Sequence, residues 1–164
     1  MRGCNMGNYA FIDGNNIHLG IRELGWELDY RRFRVYLNDK YHVTKAFYFI
    51  GFIEENRSLY KHLKNCGYEL IYKQAVRDGK GSFKGNCDAE LVLHTMIEYN
   101  NFDKAVVVTS DGDFTCLLSY LRKNNKLKTV LAPEKEKCSI LIKKEVPNSI
   151  AFLEDLRSKI GLIK

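Results

Sequence analysis

Two aspartates separated by one glycine stand out in the segment Lys104–Phe114, which reads Lys-Ala-Val-Val-Val-Thr-Ser-Asp-Gly-Asp-Phe. The two acids, Asp111 and Asp113, follow closely after a run of valines. A short, continuous run of β-branched residues is typical of a strand buried on both faces, as in a parallel sheet covered by helices. Open α/β sheets bind their ligands at the carboxyl ends of such strands. We therefore expect this pair to take part in ligand or cation binding.

A third aspartate follows another strand pattern near the start of the chain. The run Tyr9–Asp13 is aromatic and β-branched, which predicts a first strand that ends in Asp13. Residues Gly14–Asn16 are expected to break the strand immediately after the acid. Asn16 is interpreted as a residue that positions substrate or water, and turn formation explains it about as well.

A fourth aspartate, Asp88, opens a predicted helix that runs to about Tyr99. The apolar stripe of this helix shares the face of Asp88 and contains Leu91, Val92, Thr95, Met96 and Tyr99. Because the helix feeds the fourth strand and runs antiparallel to it, its first residue lies at the edge that carries the strand-end acids. Glu90 is the rival acid, but two residues further on it points elsewhere.

Four carboxylates at one edge need a counter-charge, since two unit charges about 4 Å apart repel by about 4 kcal/mol at an effective dielectric near 20. The acids are Asp13, Asp88, Asp111 and Asp113. A hard divalent cation, Mg²⁺ or Mn²⁺, suits oxygen ligands of this kind, and no His or Cys cluster indicates zinc. Such a metal activates water and stabilises the alkoxide that leaves a phosphodiester. The structural alternative is that single acids after strands cap helices or form turns.

The elements that must position these acids alternate along the chain. Predicted strands lie at Tyr9–Asp13, Val43–Ile50, Tyr68–Tyr72, from Lys104, and at Thr129–Leu131. Predicted helices lie after Asp29 to about Tyr41, and at Glu54–Cys66, Asp88–Tyr99, Phe114–Lys123 and Lys135–Lys144, and a short extended piece leads into a terminal helix. This alternation indicates an α/β fold with a mainly parallel sheet, in one domain that spans residues 1–164. Asp13 meets Asp111 only if strands one and four are neighbours.

Between the third strand and Asp88, residues 73–85 interleave basic side chains with glycines, which predicts a mobile basic loop. Its cations are Lys73, Arg77, Lys80 and Lys84. Together with backbone amides they can hold phosphates, and an ordinary solvated loop is an equally good interpretation.

The composition narrows the class of protein. The net charge of +6 and the pI near 9.0 favour an acidic partner such as nucleic acid, with a merely basic surface as the alternative. The five scattered cysteines contain no C-x-x-C pair and are interpreted as reduced thiols. No apolar run approaches the roughly 20 residues that span a bilayer, and residues 1–8 lack the apolar region of a signal peptide, so we expect a cytoplasmic protein without a membrane partner.

Three sequence blocks resemble one known family. Phe-Ile-Asp13-Gly-Asn-Asn16, Lys84-Gly-Asn-Cys-Asp88-Ala-Glu-Leu91 and Thr109-Ser-Asp111-Gly-Asp113-Phe are similar, in this order, to the signature blocks of NYN domains. NYN domains here means the LabA-like branch of the PIN-like nuclease superfamily. The resemblance covers nearly the whole chain, and three ordered blocks are far more specific than any one of them.

The resemblance implies a PIN-like fold, a three-layer sandwich with strand order 3-2-1-4-5, and a Mg²⁺- or Mn²⁺-dependent ribonuclease that leaves 5′-phosphate and 3′-hydroxyl ends. By the same resemblance Asp13, Asp88, Asp111 and Asp113 are the metal-binding acids, and Asn16 and Lys84 lie near the substrate. The implied partner is RNA, single-stranded or structured. A non-catalytic RNA-binding or regulatory module of the same fold is the alternative. Pairing with a second copy of the chain and binding of a regulator such as an antitoxin both stay open.

Overall fold

The structure is a computed structural model that describes residues 6–74, 76–77, 79–80, 83–84 and 86–163, with the backbone alone described at residues 76, 77, 83 and 84. The strands are β1 (Asn8–Asp13), β2 (Val43–Phe52), β3 (Tyr68–Gln74), β4 (Val76–Arg77), β5 (Phe83–Lys84), β6 (Ala105–Val108), β7 (Leu127–Ala132) and β8 (Ile150–Phe152). The helices are α1 (Gly14–Glu23), α2 (Tyr30–Tyr41), α3 (Arg57–Asn65), α4 (Asp88–Ile97), α5 (Thr115–Lys123), α6 (Ile140–Glu145) and α7 (Arg157–Ile160). Short 3₁₀ turns lie at Glu54–Asn56, Tyr99–Asn101, Gly112–Phe114 and Leu153–Leu156.

Six of the strands form one parallel sheet in the order β3-β2-β1-β6-β7-β8. This arrangement confirms the α/β fold and the strand order 3-2-1-4-5, in which β6 and β7 are the predicted fourth and fifth strands. It adds a sixth strand, β8, where the sequence indicated only a short extended piece. Because β1 pairs directly with β6, with Ile12 opposite Val108, both strands end at the same rim of the sheet.

Helices cover the sheet on both faces, and the alternation of side chains along each strand divides the core into two apolar layers. In β1, Ala10 and Ile12 face the layer that contains α1, α2, α3 and α7, and Tyr9 and Phe11 face the layer that contains α4, α5 and α6. Val106, Val107 and Val108 of β6 are completely buried, which confirms the strand that the valine run predicts. The predicted three-layer sandwich is therefore the observed architecture.

Two segments expected to be irregular are partly ordered. Gly14–Asn16 does not interrupt the chain after β1 but forms the first turn of α1, because the Asp13 side chain caps that helix. In the predicted basic loop, Lys73 belongs to β3, and the described residues of the loop include a two-stranded antiparallel ladder of β4 and β5. Strands this short are joined by ladder hydrogen bonds, and a glycine- and lysine-rich sequence gives little indication of such a pairing.

Two predicted helices are shorter than their sequence patterns suggest. The helix expected over Lys135–Lys144 begins only at Ile140, where the Ser139 side chain accepts a hydrogen bond from the Leu141 N–H. Helix α4 ends at Ile97, and a 3₁₀ turn follows. Leu91 and Thr95 are buried on its sheet-facing stripe as predicted, but Met96 is exposed. The predicted stripe was therefore too wide at its carboxyl end.

One glycine allows the first turn of α1 to approach the sheet. A Cβ atom added at Gly14 would lie 2.5 Å from Tyr48 Cε1 and 2.6 Å from the Phe49 carbonyl oxygen. The Tyr48 hydroxyl, in turn, donates a hydrogen bond to the Gly14 carbonyl oxygen at 3.3 Å. This contact fixes the helix start, and Asp13 with it, against β2.

We predict that Gly14→Ala destabilises the protein by about 1–3 kcal/mol, because the overpacking outweighs the higher helix propensity of alanine. Urea unfolding measures the free-energy change. Gly79→Ala is the matched control, since a Cβ there meets no atom of the described residues within 4 Å, and we expect a change below about 0.5 kcal/mol. Equal stability of both variants would contradict the proposed close packing.

Candidate functional site

Asp13 occupies the junction between β1 and α1. Its Oδ1 atom accepts a hydrogen bond from the Asn16 N–H at 3.4 Å, which caps the helix. Its Oδ2 atom accepts a hydrogen bond from the Thr109 hydroxyl at 3.1 Å. The side chain is therefore oriented from two directions, by its own helix and by the end of the neighbouring strand.

Thr109 links two of the predicted acids. It lies one residue beyond β6, its side chain is completely buried, and its hydroxyl accepts a hydrogen bond from the Asp111 N–H at 3.1 Å while it donates to Asp13. Sequence reasoning did not single out this residue. The available signal was a hydroxyl-bearing, β-branched residue at the last buried position before the acid pair.

The other three acids form a compact cluster. Carboxylate oxygens of Asp88, Asp111 and Asp113 lie within 4.8 Å of one another. Asp88 is the first residue of α4, and its N–H donates to Asn86 Oδ1 at 2.8 Å. Asp111 precedes a 3₁₀ turn and accepts a hydrogen bond from the Asp113 N–H at 2.9 Å. Local hydrogen bonds thus orient acids from two separate elements toward the same point.

An open cleft of ≈ 260 Å³ joins the cluster to the first acid. Asp13, Asp88 and Asp111 all line this cleft, together with the asparagines Asn15, Asn16 and Asn86 and the side chains of Leu19 and Cys87. Asp113 lies at its exposed rim, in reach of Asp88 and Asp111. The structure therefore brings all four predicted acids to the carboxyl edge of the sheet, three as a cluster and Asp13 beside it.

Comparison with known proteins agrees with this architecture. Residues 9–151 match the family described as NYN domain. The chain belongs to the NYN domain family. It is 26% identical over 134 residues to the low amplitude and bright protein LabA from Synechococcus elongatus. The matched region covers 76% of this chain and 72% of LabA. A crystal structure of a protein of unknown function from Vibrio parahaemolyticus has the same fold, with a TM-score of 0.81, 21% identity and coverage of 99% of this chain and 100% of that one.

NYN domains have a PIN-like fold and are usually nucleases, and PIN-like nucleases usually use divalent metals. These family properties suggest that the ligand is a nucleic acid. Within the described ranges, no helix has both the length and the apolar character needed to cross a bilayer.

Two acids of this NYN domain hold their protons more tightly than free aspartate does. Burial raises the pKa of Asp13 to about 6, and the charges of Asp88 and Asp111 add to the rise, against the hydrogen bonds from Thr109 and Asn16. Burial also raises the pKa of Asp88, with smaller contributions from the charges of Asp111 and Asp113. In the absence of a cation, the cleft therefore opposes ionisation of Asp13 and Asp88.

The donor set fits a hard divalent cation. Carboxylate oxygens are the ligands that Mg²⁺ and Mn²⁺ prefer, and three aspartates offer them within a few ångströms of one another. Cys87 also lines the cleft, but burial raises its pKa to about 11, so it stays a thiol at neutral pH. The described residues thus present oxygen ligands, without a thiolate that would favour a soft metal.

The other predicted binding residues are distributed differently. The Asn16 amide is engaged within the protein: its Nδ2 donates to Ser110 Oγ and its Oδ1 accepts from the Ser110 N–H, both at 2.9 Å. Lys73 Nζ lies 3.7 Å from Oε1 of Glu90, the acid that is expected to point away from the other carboxylates. Lys80 is exposed in the turn between β4 and β5. The side chains of Arg77 and Lys84 lie outside the described residues.

We predict a specific pH dependence of stability for the metal-free protein. The folded state holds the Asp13 proton more tightly than the unfolded chain, so this group contributes most below pH 4, and its contribution is lost as the pH rises through 6. A rise from 3.8 to about 6 corresponds to about 3 kcal/mol. Urea unfolding in EDTA between pH 4 and 7 should show a steeper decline in the wild type than in Asp13→Asn, which keeps the raised pKa of Asp88. Parallel curves for the two proteins would refute the assignment.

A second prediction concerns Thr109. Thr109→Val removes the donor to Asp13 and the acceptor for the Asp111 N–H, so we expect a loss of about 1–3 kcal/mol in the free energy of unfolding. The same change raises the pKa of Asp13 further, because one hydrogen bond to its charged form is lost. NMR titration of the carboxyl group measures that pKa. Thr109→Ser keeps the hydroxyl, so the titration should be unchanged; an equal upward shift in both variants would contradict the linkage.

Proposed function

We propose that this protein is a metal-dependent ribonuclease that hydrolyses RNA phosphodiester bonds at Asp13, Asp88, Asp111 and Asp113. One observation carries the proposal: carboxylates from β1, from the start of α4 and from the segment after β6 converge on one cleft at the carboxyl edge of the sheet. Capping of local turns accounts for Asp13 and Asp111 one at a time, but it does not account for the gathering of four carboxylates at one edge. A site that binds a cation does explain it.

Asp88, Asp111 and Asp113 are the residues that would hold Mg²⁺ or Mn²⁺, with Asp13 at the base of the same cleft. When bound, the cation supplies an activated water and stabilises the oxygen that leaves the phosphodiester. The Thr109 hydroxyl holds Asp13 Oδ2 in place. The other oxygen of Asp13, Oδ1, is oriented by its longer hydrogen bond from the Asn16 N–H at the start of α1. The paired hydrogen bonds between Asn16 and Ser110 hold the two rims of the cleft at a constant separation.

The charge of the chain supports nucleic acid as the substrate. The sequence carries a net charge of +6 although four of its 20 acidic residues gather at the cleft. The segment from Lys73 to Lys84 leads directly into Asp88, and we propose that Lys73, Arg77, Lys80 and Lys84 contact phosphates of the RNA strand that enters the cleft. The choice of RNA over DNA rests on the resemblance to NYN nucleases.

The decisive test is Asp113→Asn. Asp113 is exposed, so the substitution removes one charge with little effect on packing. We expect Mn²⁺-dependent cleavage of a labelled RNA to fall by about 100-fold or more, because removing one group that stabilises transition-state charge costs this much in other enzymes. EDTA should abolish the wild-type activity. Asp39→Asn, an exposed acid of α2, should cleave like the wild type.

The same variant also tests cation binding without an activity assay. Mn²⁺ should raise the melting temperature of the wild type and should do so much less for Asp113→Asn. Cleavage that survives both EDTA and the substitution would contradict the proposal. Salt-sensitive RNA binding without cleavage at any Mg²⁺ or Mn²⁺ concentration would instead support the non-catalytic RNA-binding module.

A further inference from the structure

A second, smaller pocket of ≈ 170 Å³ adjoins the acidic cleft. The two share Asn16 and Leu19, so Leu19 forms the ridge between them, and half of its surface is exposed. The far wall of the small pocket comes from the segment after β7, with Pro133, Glu134 and Lys137. The proposed hydrolysis assigns no role to Pro133, Glu134 or Lys137.

We propose that this pocket binds the base of the nucleotide next to the scissile phosphate and selects a base with an exocyclic amino group. The inference rests on the proposed nuclease function, since it takes the acidic cleft as the position of that phosphate. A flexible single strand can turn one base over the Leu19 ridge while its phosphate stays among the aspartates. A base paired within a helix cannot do so, because its Watson–Crick edge is occupied.

The lining of the pocket has the chemistry that a nucleobase needs. Leu19 and Pro133 supply apolar surface for the flat faces of the ring. Glu134 supplies a carboxylate whose side chain is only 18% exposed, and Lys137 Nζ lies 3.7 Å from it. Lys137 Nζ forms its shorter ion pair with Glu23 Oε2, at 2.8 Å. The Glu134 carboxylate is thus the less tightly paired of the two acids.

The walls of the pocket are fixed before any ligand binds. The Pro133 carbonyl oxygen accepts a hydrogen bond from the Glu154 N–H at 3.0 Å, and the Ser139 N–H donates to the Ser110 carbonyl oxygen at 3.1 Å. On the opposite wall, a Cβ atom added at Gly20 would lie 2.5 Å from Pro133 Cβ, so α1 and the segment after β7 are in direct contact. A rigid pocket of this kind pays little ordering cost when it binds a base.

The polar groups favour particular bases. A carboxylate only accepts hydrogen bonds, and it pairs well with the amino group of cytosine or adenine. Uracil presents a carbonyl oxygen at the corresponding position, which a carboxylate repels. Glutamine at position 134 would accept either kind of base, because its amide both donates and accepts. The preference against uracil should therefore depend on the charge of Glu134.

The test uses the full-length protein, Mn²⁺ and an RNA pool randomised around its centre, with the ends of the products sequenced. We expect one position next to the cut to favour amino-bearing bases over uracil by roughly ten-fold. Glu134→Gln should reduce this ratio to about threefold or less by accelerating cleavage at uracil. Glu136→Gln, in the same segment but not in the pocket wall, should keep the wild-type ratio.

Two outcomes would overturn the inference: cleavage with no base preference beside the cut, or a preference that Glu134→Gln leaves unchanged. If no RNA is cleaved at all, the proposed function fails separately. Fluorescence anisotropy in EDTA with labelled oligocytidine and oligouridine then decides. Tighter binding of oligocytidine that Glu134→Gln abolishes supports the pocket, and equal binding of both by the wild type overturns it.

Discussion

The site of this protein depends on the parallel pairing of β1 with β6. That pairing ends both strands at one rim and brings Asp13 close to Asp111, two acids that are far apart in the sequence. Like charges at this distance repel, so the arrangement requires a compensating interaction. Part of it comes from Thr109, whose hydroxyl donates to Asp13 and accepts from the Asp111 backbone. Burial raises the pKa of Asp13, and the neighbouring charges of Asp88 and Asp111 add to the rise.

The sheet can support such a strained rim because the layers beneath it are densely packed. Phe11 stacks on Phe47 with ring centroids 5.6 Å apart, and both rings are almost completely buried. On the other face, Tyr48 is buried between β2 and the first turn of α1, and its hydroxyl contacts the Gly14 carbonyl oxygen. Aromatic burial of this extent contributes several kcal/mol, enough to offset the cost of one buried carboxylate.

Much of this could be predicted from the sequence because the decisive signals are local. A strand pattern followed by an acid fixes the acid at the sheet edge, and this reasoning located Asp13, Asp111 and Asp113 without knowledge of contacts. Strand order came from the resemblance to NYN domains, since alternation alone permits several orders. The sixth strand, β8, was predicted only as a short extended piece, because three residues are too few to show a period. The role of Thr109 was missed because a hydroxyl reveals its partner only in the folded chain.

Asn16 illustrates how a residue in a signature block can hold a site together. Both ends of its amide bind Ser110, so the side chain joins the start of α1 to the segment after β6. Other groups around the cleft differ in kind. In the proposed complex, Lys73 and Lys80 contact phosphates, whereas Glu134, on the side of β7, distinguishes bases. A strand that crosses the rim between them would be held by its charge on one side and identified by its sequence on the other.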